Sequence, residues 1–297
     1  GEWQNPLAEA ATWIESTLTA RPKSKLLVVV HARGGHPPWS VSGKQLEALP
    51  PADYSGNISP RRAAQEIAAL RSKKGREMPA SDRVRVDALH EVGLAEEDAA
   101  LGKLLDTLEQ SVGDDKSLVI VTSDLSSGMS TLFADNPPLD ETTLGVPLYV
   151  LLPKHAYGGR VVSAPTEDAD VARTALASLG LAPLRQTIGQ GHAKVASGLP
   201  PIALAPLVAE SGGRYLARWG DLTMMLRPGG EPFLCDIELD PTCAFDRRTL
   251  LPLASDAILR GFIRRQKVLE AVPAPTPVTA NIDDDTLAAL RVWGSMQ

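Results

Sequence analysis

The chain has 297 residues and a formal net charge of −6; 43% of its residues are apolar and 4% aromatic. That length suits one large domain or two smaller ones. The acidic balance and scarce aromatics leave no general basic surface for nucleic acid or anionic lipid, and no stacking platform for bases. No apolar run reaches the roughly 18–20 residues a membrane span needs.

In chain order, residues 7–20 place Leu7, Ala11, Ile14 and Leu18 at helical spacing, and Arg21-Pro22 ends that helix. LLVVV (26–30) is a short β-branched run, read as a buried strand lying parallel to its neighbours. It leads into the loop HARGGHPPW (31–39). Residues 40–60 are turn-rich, a helix covers about 60–71, and KKGRE (73–77) is a solvated loop. A longer helix follows over about 81–110, capped by Ser81 or Asp82, with Leu89, Leu94, Leu101, Leu104, Leu105 and Leu108 on its apolar face. Gly113-Asp114-Asp115 turns the chain into the strand LVIVTS. Further strands are expected in VPLYVLLP (146–153) and RVV (160–162), and a helix over about 168–180 stops at Gly180. This alternation predicts a layered α/β domain over 1–205. Over 206–271, RYLARW, DLTMMLRP and EPFLCDIELD, separated by Gly220 and Gly229-Gly230, predict a small antiparallel meander covered by a helix at about 249–270. A Pro-rich linker and a terminal short helix fill 272–297.

Few residues have the pattern of a chemical site. The strand LVIVTS ends at Asp124, where α/β folds commonly present ligand-binding carboxylates. A turn carboxylate accepting N–H groups of Ser126 or Ser127 accounts for the same residue, and a lone carboxylate holds a divalent cation poorly. In the 31–39 loop, His36, Arg33 and His31 have the chemistry to meet an anion. Structural roles account for them as well: His36 capping a rigid loop, Arg33 in a surface ion pair, His31 packed at a strand end. Lys103 and Asp106 read as a solvated helix face, Asp98 as a buried anchor of its helix, and Met224-Met225 as core. Cys235 and Cys243 lack CxxC spacing and a nearby His, which excludes an ordinary zinc site. They form a disulfide in an oxidising compartment or stay as buried thiols; spacing leaves both open.

Several stretches together resemble the sulfatase branch of the alkaline-phosphatase-like superfamily. LLVVVHARGGHPP resembles the strand entering a PHxP-type loop, and Tyr54-Ser55-Gly56 the Tyr-x-Gly that follows it. DALHEVGLAEEDAALGKLLDTLEQ resembles the family's Leu-Gly helix, and LVIVTSD the strand ending in Thr-Ser-Asp-His/Asn-Gly. LGVPLYVLLP, GRVVSAPTEDADVARTALASLGL and RYLARWGDLTMMLRPGGEPFLCDIELDP resemble later segments, and LAALRVWG a common terminal signature. They occur collinearly over about 25–297, matching the C-terminal half to two-thirds of the family's usual length.

The resemblance implies a partial α/β/α sheet of the alkaline-phosphatase type with a C-terminal antiparallel sheet. It also implies ester hydrolysis of sulfate or phosphate at a carboxylate-bound divalent cation, with a formylglycine made from cysteine, or a Ser/Thr, as nucleophile. His36 matches the family's loop histidine and is the catalytic candidate this implies, with Arg33 and His31 as anion-binding candidates; Asp124 marks the second metal pair, where Leu125 replaces His or Asn. The Cys-x-Pro-Ser-Arg motif and the first Asp-Asp pair have no counterpart. The expectation is therefore a sulfatase-like domain that is catalytically inactive as this chain and serves as an interaction or structural module. Asp124 is then a vestigial metal residue, and no cofactor is expected; a calcium-type divalent cation enters only if an N-terminal half completes the site. Two alternatives are such a completed hydrolase and an anion-binding module built on the 31–39 loop. The expected partner is an N-terminal half of the same protein, another polypeptide, or a second copy covering the sheet edge. Compartment is not legible from the sequence, the family being compatible with an extracytoplasmic one.

Overall fold

The computed structural model describes residues 5–32, 35–39, 41, 43–71, 78–113, 115–123, 126, 139–162, 166–182 and 206–271. These fall into two compact units that divide between Ser117 and Leu118, so the span 1–205 is shared between them.

The first unit is helical. Helix α1 (Pro6–Ala20) starts with Pro6 in its first turn, and the Asn5 side chain accepts the Leu7 N–H at 2.9 Å. Short α2 (Gly43–Ala48) lies within the stretch expected to be turns, and α3 is Ala63–Arg71. The long α4 (Ala80–Ser111) matches the leucine periodicity, but its N-cap is Pro79 rather than Ser81 or Asp82. Asp82 is engaged elsewhere, by Tyr54. Leu7 and Ile14 of α1 bury against Leu104 of α4, with Leu101 and Leu108 alongside. A second cluster joins Trp39, Ile58, Ala63, Ile67, Met78, Val86 and Leu89. Asp98 is exposed rather than buried, as are Lys103 and Asp106.

The expected strand at 26–30 does not form. Leu26 and Val30 pack on the α1–α4 cluster, while Leu27 and Val29 are 87% and 86% exposed. A strand needs a hydrogen-bonded neighbour as well as β-branched side chains, and no described residue pairs with this run. RVV at 160–162 is corrected for the same reason, with Val161 95% exposed.

The second unit carries both described sheets. Strands β1 (Val119–Thr122) and β2 (Leu148–Leu151) pair antiparallel, Val119 opposite Leu151. Short α5 (Glu141–Leu144) lies between them. Helix α6 (Asp168–Ser178) opens with Asp170 accepting the Glu167 N–H at 3.1 Å and stops at Gly180, φ +69°. The meander follows the expected plan with one strand added: β3 (Leu207–Ser211), β4 (Arg214–Trp219), β5 (Leu222–Leu226) and β6 (Phe233–Asp236) lie in sequence order. Ser211 opposes Arg214 across Gly212 and Gly213, both at positive φ, the backbone a two-residue hairpin turn requires.

Helix α7 (Pro252–Glu270) covers one face of this sheet. Ile258 packs with Ala217, Met224 and Leu234, and Phe262 meets Tyr215 edge-on at 5.3 Å. Met224 is core, as its strand position predicts. Arg265 of α7 forms a largely buried pair with Glu167, with nitrogen–oxygen distances of 2.7 and 3.0 Å, tying α7 to the start of α6. Ile258→Val, which removes one methylene from this core, is expected to cost about 1 kcal/mol in urea denaturation.

Candidate functional site

Residues 35–39 are held on α4 by a compact set of contacts. Gly35 has φ +82°, a conformation that favours glycine. Its carbonyl accepts hydrogen bonds from the Trp39 indole N–H and from His90 Nδ1, the latter at 2.9 Å. A carbonyl only accepts, so Nδ1 of His90 carries the proton. Trp39 is buried and reaches α4 at Gly93, where a Cβ would lie 2.6 Å from the Trp39 ring. A Cβ on Gly35 would meet His90 Nδ1 at 2.7 Å and Leu94 at 2.9 Å. The loop also contains a cis Pro37-Pro38 peptide, and the Trp39 N–H donates to the Pro60 carbonyl at 3.0 Å.

His36 therefore stands on a fixed loop, half-buried, directly after Gly35. His31, on the same loop, is exposed. Arg33 and Asp124, the other two site candidates, lie outside the described residues, as does Leu125. His90 was not among the sequence candidates. It lies mid-helix, within the stretch that resembles the family's Leu-Gly helix, and only the fold brings it beneath Gly35. Asp87, one turn earlier, has its carboxyl pushed up by burial, with the His90 charge acting in the opposite direction.

Next to this loop, the Tyr-x-Gly element has a physical basis. The Tyr54 hydroxyl donates to Asp82 at 2.9 Å and accepts the Ile58 N–H at 2.8 Å. Gly56 lies so close to the phenol and to Asp82 that a Cβ would overlap both. Arg85 of α4, buried, donates to the carbonyls of Leu49 at 2.8 Å and Leu46 at 2.9 Å, and its guanidinium lies 5.1 Å from the Tyr54 ring centre. A depression of about 250 Å³ is lined by Leu46, Glu47, Leu49, Pro51, Ala52, Tyr54 and Arg85.

Burial raises the Tyr54 phenol to about 12, the Ile58 N–H opposing and Asp82 adding to the rise. Its ordinary value is 10.0, so its contribution to stability is complete below pH 10 and is lost as pH climbs toward 12. Tyr54→Phe is expected to flatten that alkaline loss in denaturation curves recorded between about pH 9 and 12.

In the second unit, Cys235 and Cys243 form a disulfide with a Cα–Cα distance of 5.2 Å. This settles the question their spacing left open. The loop they close is organised by two carboxylates. Asp240 accepts the Phe245 N–H, which holds its carboxyl below the ordinary range, helped by the Thr242 hydroxyl. At Asp246 burial works against the charge, and hydrogen bonds from Arg248 and the Leu234 N–H overcome it. Their contribution is present above about pH 4 and lost as pH falls through the lowered values. Among the described residues, no three of His, Cys, Asp and Glu gather as a metal-ligand set.

The model of the family described as Sulfatase matches residues 4–181, more than half of the chain. The chain belongs to the sulfatase family. Among curated proteins, none matches this sulfatase-family chain at a significant level. Solved structures share its fold at low identity. The phosphonate monoester hydrolase of Agrobacterium radiobacter is 20% identical with a TM-score of 0.58, over 89% of this chain and 59% of its own. Ps i-CgsB, solved with k-i-k-neocarrahexaose, is 15% identical with a TM-score of 0.63, over 98% of this chain and 59% of its own. A protein in the alkaline phosphatase superfamily from Vibrio parahaemolyticus is 14% identical with a TM-score of 0.54, over 91% of this chain and 56% of its own. The sulfatase-family chain thus spans less than two thirds of these neighbours' length. The α/β fold of the alkaline-phosphatase type, with small antiparallel sheets, stands.

Proposed function

We propose that this chain is a non-catalytic sulfatase-fold domain that serves as an interaction or structural module. The observation that carries this reading is the disulfide. The chain contains two cysteines, and both are consumed in it, at the C-terminal sheet. Within these 297 residues no thiol is left for conversion to formylglycine, one of the two kinds of nucleophile that family chemistry implies. The donor set points the same way. Asp124 is followed by Leu125, whose side chain has no lone pair, so this stretch supplies one carboxylate where a divalent cation needs several oxygen ligands. By themselves Asp124 and Leu125 do not make up the ligand set of the family's metal.

The test is hydrolysis of aryl sulfate, phosphate monoester and phosphonate monoester by the purified chain with added calcium, manganese or zinc. The expected result is no metal-dependent release of the phenol; metal-dependent turnover overturns the reading. A second reading follows from the share of the neighbours' length that this chain covers. In it, the chain is part of a hydrolase whose nucleophile and first metal pair lie on a preceding half. Leu125→His separates the two: increased calcium affinity in calorimetry supports a completed metal site, and no gain supports the module. His36, with His31 and Arg33 of the same sequence stretch, is where such a module would hold a small anion. Sulfate titrations of His36→Ala and Arg33→Ala check this, and unchanged heats in both variants would remove it.

A further inference from the structure

The disulfide ties an edge strand to the segment that covers it. Among the described residues, β6 is the last strand of the four-stranded sheet, paired on one side by β5 and on the other by no strand. Both backbone groups of Leu234 are taken up on that open side. Its N–H donates to the Asp246 carboxylate at 3.2 Å, and its carbonyl accepts the Arg247 N–H at 2.8 Å. One residue on, the Asp236 carbonyl accepts the Asp240 N–H at 2.8 Å. Residues 240–247 thus occupy the place a further strand would take, a common way of protecting a sheet edge. The strand, its cover and the bond between them all lie within residues 233–247.

The two sulfurs differ in access. Cys235 is fully buried, whereas Cys243 is partly exposed. Cys235 also lies off the core that holds the sheet on α7. Its neighbour Leu234 belongs to that core with Ala217, Met224 and Ile258, and successive strand residues face opposite sides. Breaking the bond therefore removes no member of the α7 core. Cys243 has φ +50°, a left-handed backbone that a residue with a side chain adopts at a cost, so release of the bond lets this residue relax. The remaining ties of the cover are hydrogen bonds of its own short turn, from the exposed Phe245 and Thr242 to Asp240, each of modest net worth.

We propose that Cys235–Cys243 is a redox-sensitive clasp: reduction by a small dithiol frees the 240–247 cover and opens the backbone edge of β6, while the sheet stays folded on α7. A thiolate of the reductant bonds to the accessible Cys243 sulfur. The protein S–S bond breaks, and Cys235 leaves as a thiolate that takes up a proton. The second thiol of the reductant loses its proton and attacks its own sulfur in the mixed disulfide. Cys243 leaves as a thiolate and is protonated. The protein has gained two electrons and two protons, and the dithiol departs as its disulfide. Exchange with an oxidised dithiol closes the clasp by the same steps in reverse. The clasp is a property of the C-terminal sheet and is independent of ester hydrolysis.

The native full chain is treated with dithiothreitol at about pH 8, where thiolate forms, and without denaturant. Alkylation and mass spectrometry are expected to find both cysteines reduced. Glutathione, which has one thiol, is expected to leave its mixed disulfide on Cys243 and a free thiol on Cys235. On reduction, hydrogen exchange at the amides of Leu234, Phe245 and Arg247 is expected to accelerate at least about tenfold, while the amides that pair β4 with β5 keep their protection. A chain carrying Cys235→Ala and Cys243→Ser is expected to show the same exchange pattern with no reductant; where that variant fails to fold, the reduced parent chain decides. A bond that resists dithiothreitol until the protein is denatured overturns the proposal, as does glutathione found on Cys235 or unchanged exchange at Leu234. Loss of protection in all four strands at once also overturns it, because the disulfide would then be a staple the sheet needs in order to stay folded.

Discussion

Gly35→Ala is expected to cost about 3 kcal/mol and to displace the loop that carries His36. Two terms add. Placing an L side chain at φ +82° costs roughly 1–2 kcal/mol. Overpacking adds roughly 1–3 kcal/mol, because the new Cβ would sit 2.7 Å from His90 Nδ1 and 2.9 Å from Leu94 Cγ. His90 is not free to withdraw cheaply. His90 is hydrogen-bonded to the Gly35 carbonyl, and that carbonyl also holds the Trp39 indole. Relief by moving the loop therefore breaks the contacts that define it. Urea denaturation measures the loss, and the Trp39 environment, followed in a variant with the other tryptophans replaced by phenylalanine, reports the displacement. A variant as stable as the parent would show that the loop is not fixed by this contact.

The second large effect is expected at Arg85. Arg85→Met should destabilise the first unit by about 3 kcal/mol, because methionine fills the volume but leaves the carbonyls of Leu46 and Leu49 without their donors. Each orphaned acceptor costs roughly 1–3 kcal/mol, and loss of the guanidinium beside Tyr54 adds roughly 0.5–1 kcal/mol. Relief from burying a charge offsets part of this sum. Arg85→Lys separates charge from shape. A single ammonium lacks the planar fork that reaches two carbonyls, so lysine is expected to recover less than half of the loss in the same denaturation experiment. Full recovery by lysine would mean that charge, not the fork, holds the 46–49 turn.

These two positions show where sequence reading stops. Leu89, Leu101, Leu104 and Leu108 mark α4 by spacing alone, and Gly180 ends α6 where a left-handed residue is needed. Arg85 and His90 lie within the same helical pattern and look like ordinary polar residues of a solvated face. Their partners are 36 and 55 residues away, carbonyls with no side-chain signature to read. The short 26–30 run shows the converse. Its composition says strand, but strand formation depends on a neighbour that composition does not contain. The meander at 207–236 escaped this difficulty because each of its strands pairs with the next through a short turn, and glycines at 212, 213 and 220 mark two of those turns.

By itself, then, the sequence determined the longer helices, the meander and the collinear motifs that place the chain in the sulfatase family. Local periodicity, turn chemistry and motif order are all short-range information. It also determined which chemical groups are present: two cysteines, and a leucine beside Asp124. Tertiary structure alone decided that both cysteines are spent in one disulfide and that Gly35 rests on His90. It alone decided that Leu26 and Val30 pack on the α1–α4 pair while Leu27 and Val29 stay exposed. Each of those facts is a distance between residues whose separation along the chain carries no local signal, so packing had to settle it.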